Sequence, residues 1–168
     1  AVEAFEAAPG AAVRVVDRSG RFVASGLSEA GPIAVRVFAL DERPVDEALF
    51  AERVDAAFGL RAQLAPPDTN AYRLLHGEGD RLPGVVCDRY GAYAVLKLDG
   101  DAALAHRDTW TRVLSPRLRE RDVDTLLGRS GRKEEQRVDV AWGEPPPREL
   151  VVLERGMRLV VNLYEGQK

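Results

Sequence analysis

The chain has 168 residues, is 45% hydrophobic and 30% charged, and carries a net charge of −3. That size and balance suit one ordinary domain or two small ones with a buried core, and exclude wholesale disorder. A slightly negative chain has no global attraction for nucleic acid, so any RNA contact needs a local basic patch or a partner domain.

Further exclusions follow from what the sequence lacks. Its apolar runs are only a few residues long, too short to span a membrane. No charged start followed by an apolar stretch marks a signal peptide. One cysteine and two histidines exclude both an internal disulfide and a Cys/His zinc cluster, which fits a reducing cytoplasm. The chain opens on Ala1 rather than Met and stops at Lys168 after a strand-like stretch. The expectation is that both ends are cut.

The first forty residues read as β-rich. Val13, Val15 and Val16 form a short apolar run, and Asp17-Arg18-Ser19-Gly20 supplies turn chemistry before Arg21 to Ser25 returns as a strand. Gly26 and the stretch Glu29 to Pro32 break the chain again. Ile33, Val35 and Val37 then alternate as in a strand with one buried face.

After Pro44 the period becomes helical. Phe50, Val54, Ala57 and Phe58 share one face of a helix over Val45 to Leu64, with Asp46 and Glu47 in the first turn, where the helix dipole favours anions. Ala65-Pro66-Pro67-Asp68 ends that helix and is the best linker candidate.

A second block starts at Thr69. Tyr72 to Leu75 reads as a strand, and His76-Gly77-Glu78-Gly79-Asp80 as a loop. Leu82-Pro83-Gly84 turns the chain into a strand at Val85 to Cys87, and Asp88 to Gly91 turns it again into Ala92 to Leu98. A helix covers Ala102 to Leu114, with His106, Trp110, Val113 and Leu114 on one stripe, and Pro116 marks its end. Asp124 to Gly128 reads as a strand and Arg129 to Arg137 as a charged loop. Glu144 to Pro147 is stiff and unpaired. A hairpin closes the chain, with strands Leu150 to Leu153 and Met157 to Leu163. The order implies an antiparallel or mixed sheet with a helix on one face, an α+β arrangement.

Few residues offer chemistry. His76, Glu78 and Asp80 bring an imidazole and two carboxylates within five residues, a set suited to metal binding or acid–base work. No further cluster is spaced to complete such a site, so a solvated turn is the better reading. Gly77 and Gly79 lack the third glycine and the helix start of a dinucleotide fingerprint. Cys87 precedes Asp88, which disfavours a thiolate, and reads as a buried structural cysteine. Trp142 reads as a packing aromatic and His106 as partly buried. Arg129, Arg132, Lys133 and Arg137 form the best phosphate-binding candidate of the second block, against the plain reading of a solvated charged loop. In the first block, Arg14 and Arg36 are further candidates if strand alternation segregates their charge from the neighbouring carboxylates.

Several stretches, in order, carry a family resemblance. VRVVDRSGRFVASG, within Gly10 to Leu40, resembles a PUA domain, a small RNA-binding pseudo-barrel. GEGDRLPGVVCDRYG at Gly77 to Gly91 is the most specific piece. With RSGRKEEQR, then WGEPP at Trp142 to Pro146, then NLYEGQK at Asn162 to Lys168, it resembles the bacterial S-adenosylmethionine-dependent large-subunit (23S) rRNA cytosine-C5 methyltransferases. The resemblance implies a partial PUA-like pseudo-barrel over 1–44 and a helix and linker over 45–68. A central strand–strand–helix–strand–strand domain follows over 69–163, and 164–168 begins a link to an absent C-terminal methyltransferase domain. It implies S-adenosylmethionine for the full-length protein and no cofactor within this chain. In the family's chemistry a cysteine thiolate attacks C6 of cytosine and activates C5. Cys87 does not match that nucleophile, so no catalytic residue carries over. The implied partners are large-subunit rRNA and the missing domain, in the cytoplasm. An exposed apolar face is expected on the hairpin Leu150 to Leu163, where it could drive a homodimer of the piece. The competing expectation is a stand-alone RNA-binding or interaction module without catalysis.

Overall fold

The computed structural model describes residues 7–130 and 137–165. Strands β1 (Ala12–Val16), β2 (Phe22–Ser28) and β3 (Val35–Ala39) form a small antiparallel sheet in that order. Asp17 organises the turn between β1 and β2. Its carboxylate accepts from the Ser19 backbone at 2.8 Å, the Ser19 hydroxyl at 2.6 Å and the Arg21 backbone at 3.0 Å. The Ser19 hydroxyl, followed by the Arg21 donors, holds this carboxyl down to about 2.

Helix α1 (Glu47–Leu64) follows, with Asp46 as its N-cap accepting from the Leu49 backbone at 3.0 Å. Leu49, Phe50, Val54, Ala57 and Phe58 are buried along one face, the face that the helical period predicted.

The second block is a five-stranded sheet of β4 (Ala71–His76), β5 (Val85–Tyr90), β6 (Tyr93–Leu98), β7 (Thr125–Ser130) and β8 (Arg137–Trp142), ordered β4-β5-β6-β7-β8. All neighbours are antiparallel except β6 and β7. That parallel pair needs a crossover, supplied by α2 (Asp101–Ala105) and α3 (Arg107–Arg119). A terminal hairpin of β9 (Leu150–Glu154) and β10 (Met157–Val161) makes the third sheet. The α+β class expected from the element order therefore holds.

Three local expectations change. The second helix does not end at Pro116, which lies inside α3. The missing proline N–H costs one hydrogen bond, but Leu118, two residues later, is fully buried and holds the last turn to the core. Arg137–Trp142 is a strand, β8, where no strand is expected above. Val138, Val140 and Trp142 alternate along it, and as an edge strand it is mostly exposed. The residues Gly77–Asp80 form a short 3-10 turn rather than an open loop. Asp80 ties it, accepting from the His76 backbone at 2.7 Å.

One core joins the two blocks. Leu27 and Phe38 of the small sheet, the buried face of α1, Trp110 and Leu114 of α3, and Leu75, Cys87, Leu96 and Leu126 of the large sheet belong to a single apolar cluster. At its centre Phe50 stacks on Trp110 at 4.1 Å and meets Phe38 at 5.4 Å. A polar clasp reinforces the junction. Glu29 accepts from the Asp101 backbone at 2.7 Å and from Arg36 Nε at 2.7 Å. Gly100, at φ 88, lies so close to this carboxylate that a Cβ would collide with it. His106 Nε2 adds a 2.8 Å hydrogen bond to the Gly10 carbonyl.

The helices cover one face of the five-stranded sheet. On the other face Val95, Leu127 and Leu163 form a smaller cluster, flanked by Tyr90, Tyr93, Val138, Leu150 and Val161. Asn70 anchors the hairpin, donating its N–H to the Leu153 carbonyl at 2.9 Å and accepting from the Leu153 N–H at 2.7 Å. Val151 and Val160, paired on the hairpin's outer face, are 46% and 66% exposed, in line with the apolar surface expected there.

Two outcomes test this junction. Trp110→Ala should destabilise the chain by about 3–5 kcal/mol in urea unfolding. Both blocks should lose structure in the same transition. Burial alone would raise the Glu29 carboxyl, but hydrogen bonds from Arg36, Ala102 and Asp101 outweigh it and hold the group below its ordinary 4.5. A carboxyl depressed in the folded state contributes stability above 4.5 that is lost as pH falls through the folded value. Resistance to urea should therefore fall in acid, and Glu29→Gln should make that acid loss shallower.

Candidate nucleic-acid interface

The six basic candidates do not converge on one patch. Arg14 is exposed on β1, paired with Glu42 and set over the Phe22 ring at 5.3 Å. Arg36 on β3 is only 14% exposed. It reaches Glu29 at 2.7 Å, Glu78 at 3.3 Å and Asp99 at 3.9 Å. That commits its donors to the inter-block clasp. Arg129 lies on β7 and donates from Nη2 to the Leu163 carbonyl at 2.6 Å, while its Nε is buried without a partner among the described residues. Arg137 is exposed at the start of β8, opposite Ser130. Arg129 and Arg137 thus stand on adjacent strands of the large sheet, on opposite faces of it, whereas Arg14 and Arg36 stand on the small sheet. Arg132 and Lys133 lie outside the described residues.

A second group was not singled out by the sequence. At the β4 edge an open depression of about 460 Å³ is lined by Arg61, Arg73, His76 and Asp88. Arg61, at the end of α1, grips Asp80 with both terminal nitrogens at 2.6 and 2.8 Å. Arg73 holds Asp88 at 2.9 and 3.3 Å and lies 3.1 Å from His76 Nδ1. His76 belongs to the segment read above as a solvated turn, and the carboxylates around it are each engaged by an arginine. The signal available in the sequence was period-two placement: Arg73 and Lys97 sit at outward positions of otherwise apolar strands.

The remaining chemistry-bearing residues are structural. Cys87 is completely buried, and burial followed by the neighbouring Asp88 charge pushes its thiol well above the usual range. Trp142 is partly buried against the main core, with the Arg119 guanidinium 4.5 Å over its ring. His106 is edge-on to Phe50 at 5.6 Å. Among the described residues no group of His, Cys, Asp and Glu could hold a metal ion, and no helix is long and apolar enough to cross a membrane.

Comparison with known proteins gives this arrangement a context. No protein-family model matches the chain. Curated relatives match over 97% of it: Ribosomal RNA large subunit methyltransferase I of Cronobacter sakazakii at 35% identity and of Shigella boydii at 33%. The protein of that name from Salmonella arizonae is 35% identical. The chain spans 43% of the length of the first two and 42% of the third. The chain is thus homologous to part of these rRNA methyltransferases. Among solved structures, a candidate SAM-dependent methyltransferase from Streptococcus mutans superposes with a TM-score of 0.80 at 17% identity, covering 95% of this chain and 42% of that one. A candidate methyltransferase solved with SAH gives 0.81 at 18%, covering 95% and 41%. These likenesses establish a shared fold.

The state of Cys87 gives a direct check. A thiol reagent such as Ellman's should leave the native chain unmodified at neutral pH and titrate one thiol per chain in denaturant. Rapid native labelling would contradict the sealed position.

Proposed function

We propose that this chain is the RNA-binding and scaffold portion of a SAM-dependent methyltransferase that acts on cytosine C5 of large-subunit rRNA, and that the catalytic step belongs to a further domain. The observation that carries this reading is the collinear similarity along 97% of the chain to proteins more than twice its length that bear the rRNA methyltransferase name. Cytosine-C5 methylation needs an accessible thiolate. The lone cysteine of this chain is fully buried with its pKa raised, which supports assigning the nucleophile and the SAM pocket to the relatives' unmatched length.

In this reading residues 1–44 are the PUA-like RNA-binding unit, 45–68 the joining helix, 69–163 the central scaffold, and 164–168 the start of the link to the catalytic domain. The shared Phe38, Phe50 and Trp110 core supports a stiff platform, able to hold rRNA in a fixed orientation. Arg129 and Arg137, with Arg132 and Lys133 between them in sequence, are the proposed phosphate contacts of the scaffold. Arg14 and Arg36 act chiefly through their carboxylate partners. The setting is the cytoplasm, where rRNA is made in bacteria.

Fluorescence anisotropy with a labelled fragment of large-subunit rRNA tests this. The chain should bind, with log affinity falling linearly in log salt. Incubated with SAM and the same RNA, it should leave the RNA unmethylated. Absence of salt-dependent binding, or C5 methylation by this chain alone, would contradict the proposal.

A further inference from the structure

The face of the large sheet opposite the helices carries a charge pattern of which the proposed function uses only Arg129. Strand register lines up His76, Val86, Lys97, Arg129 and Val138 as one transverse row across β4 to β8. The next row is Arg73, Asp88, Val95, Leu127 and Val140. Paired residues share a face, and the packing agrees. Val95, Leu127 and Val138 meet the hairpin side, whereas Cys87, Leu96 and Leu126 point into the helix-side core.

The first of these rows stays open to solvent over its middle. Lys97 is exposed at the centre of a five-stranded sheet and has no hydrogen bond or ion pair among the described residues. Its neighbour on β7, Arg129, is held in place by the Leu163 carbonyl. Adjacent strands lie about 4.8 Å apart, so two long cationic side chains start from neighbouring points and can serve successive phosphates. Only one carboxylate, Asp88, stands on these two rows, and Arg73 grips it. The face therefore carries three full cations, Arg73, Lys97 and Arg129, against one anion, in a chain whose net charge is −3. At the β4 edge the row runs into the depression of Arg61, Arg73 and His76. There the Arg–Asp forks are charge-compensated, but their guanidinium planes and the imidazole remain flat surfaces of the kind on which unstacked bases lie.

We propose that this sheet face binds single-stranded RNA, with Lys97 and Arg129 on consecutive phosphates and one unstacked base in the Arg61–Arg73–His76 depression. The assignment rests on the reading that the chain binds RNA, and adds where and in what form. Duplex RNA fits poorly, because a flat transverse row reaches only one strand and a paired base cannot enter the depression.

Anisotropy titrations of the whole chain with a single-stranded RNA oligonucleotide, and with a duplex of equal length, test it. Lys97→Ala should weaken single-strand binding and lower the magnitude of the log–log salt slope by about 0.7, the value of one phosphate contact. Lys97→Glu should cost roughly tenfold or more at low salt. Because Lys97 is exposed and has no hydrogen bond or ion pair to lose among the described residues, both variants should keep the wild-type thermal transition. Arg112→Glu, exposed on α3 on the opposite, helix-covered side, serves as the control and should change binding little. Unchanged affinity and slope in Lys97→Glu, or a loss confined to Arg112→Glu, would overturn the assignment while leaving RNA binding intact. Preference for the duplex would also overturn it. Failure of the wild-type chain to bind either RNA would sink the functional reading itself, and this assignment with it.

Discussion

Phe50 reaches from α1 to Phe38 of the small sheet on one side and to the indole of Trp110 on the other, and the remaining architecture is arranged around that contact. An α-helix with one apolar face can cover only one layer. Here α1 and α3 together cover one face of the five-stranded sheet, and the small sheet docks at the same seam through Leu27 and Phe38. Among the described residues, the buried aromatics Phe38, Phe50, Phe58 and Trp110 all belong to this cluster. The opposite face is left with the thin cluster of Val95, Leu127 and Leu163, and with a row that includes an exposed lysine. The asymmetry between the two faces is thus a consequence of where the helices pack.

Charge in this chain is governed by pairing. Arg14, Arg36, Arg43, Arg61, Arg73, Arg107, Arg112 and Arg117 all sit within 4 Å of a carboxylate. Most of these pairs are at the surface and contribute little stability each. Their larger effect is to remove these arginines from the pool that can meet a phosphate unopposed. Arg36 shows this best, since it is enclosed by carboxylates and supports the clasp at Glu29. A count of basic residues in the first block therefore says little about its capacity for RNA.

Much of the fold was legible in the sequence for identifiable reasons. The 3.6 period of Phe50, Val54, Ala57 and Phe58 fixed α1, and turn residues around Gly20, Gly84, Gly91 and Gly156 fixed the hairpins. Pro116 misled because a proline late in a helix costs one hydrogen bond, which burial of Leu118 offsets. Strand β8 was missed because its short alternation of Val138, Val140 and Trp142 directly follows a charged run that reads as a loop. The candidate site was less legible. Lys97 and Arg129 are far apart in sequence and become neighbours only through the parallel β6–β7 pairing, which a crossover creates. The depression at Arg61 and Arg73 likewise joins the end of α1 to β4. Neither pairing leaves a local motif. The family resemblance, matched by homology to part of the rRNA methyltransferases, rests on turns and strands, and its most specific stretch, Gly77 to Gly91, holds a sealed cysteine and a capped turn.

The account makes one face of one sheet the RNA-contacting surface of a rigid platform. Ultraviolet crosslinking of the chain to a single-stranded segment of large-subunit rRNA, followed by mass-spectrometric mapping of the crosslinked peptides, measures that most directly. Crosslinks concentrated on β4, β6 and β7, around His76, Lys97 and Arg129, are the expected result. Crosslinks confined to β1–β3, or to the outer face of the hairpin at Val151 and Val160, would contradict it.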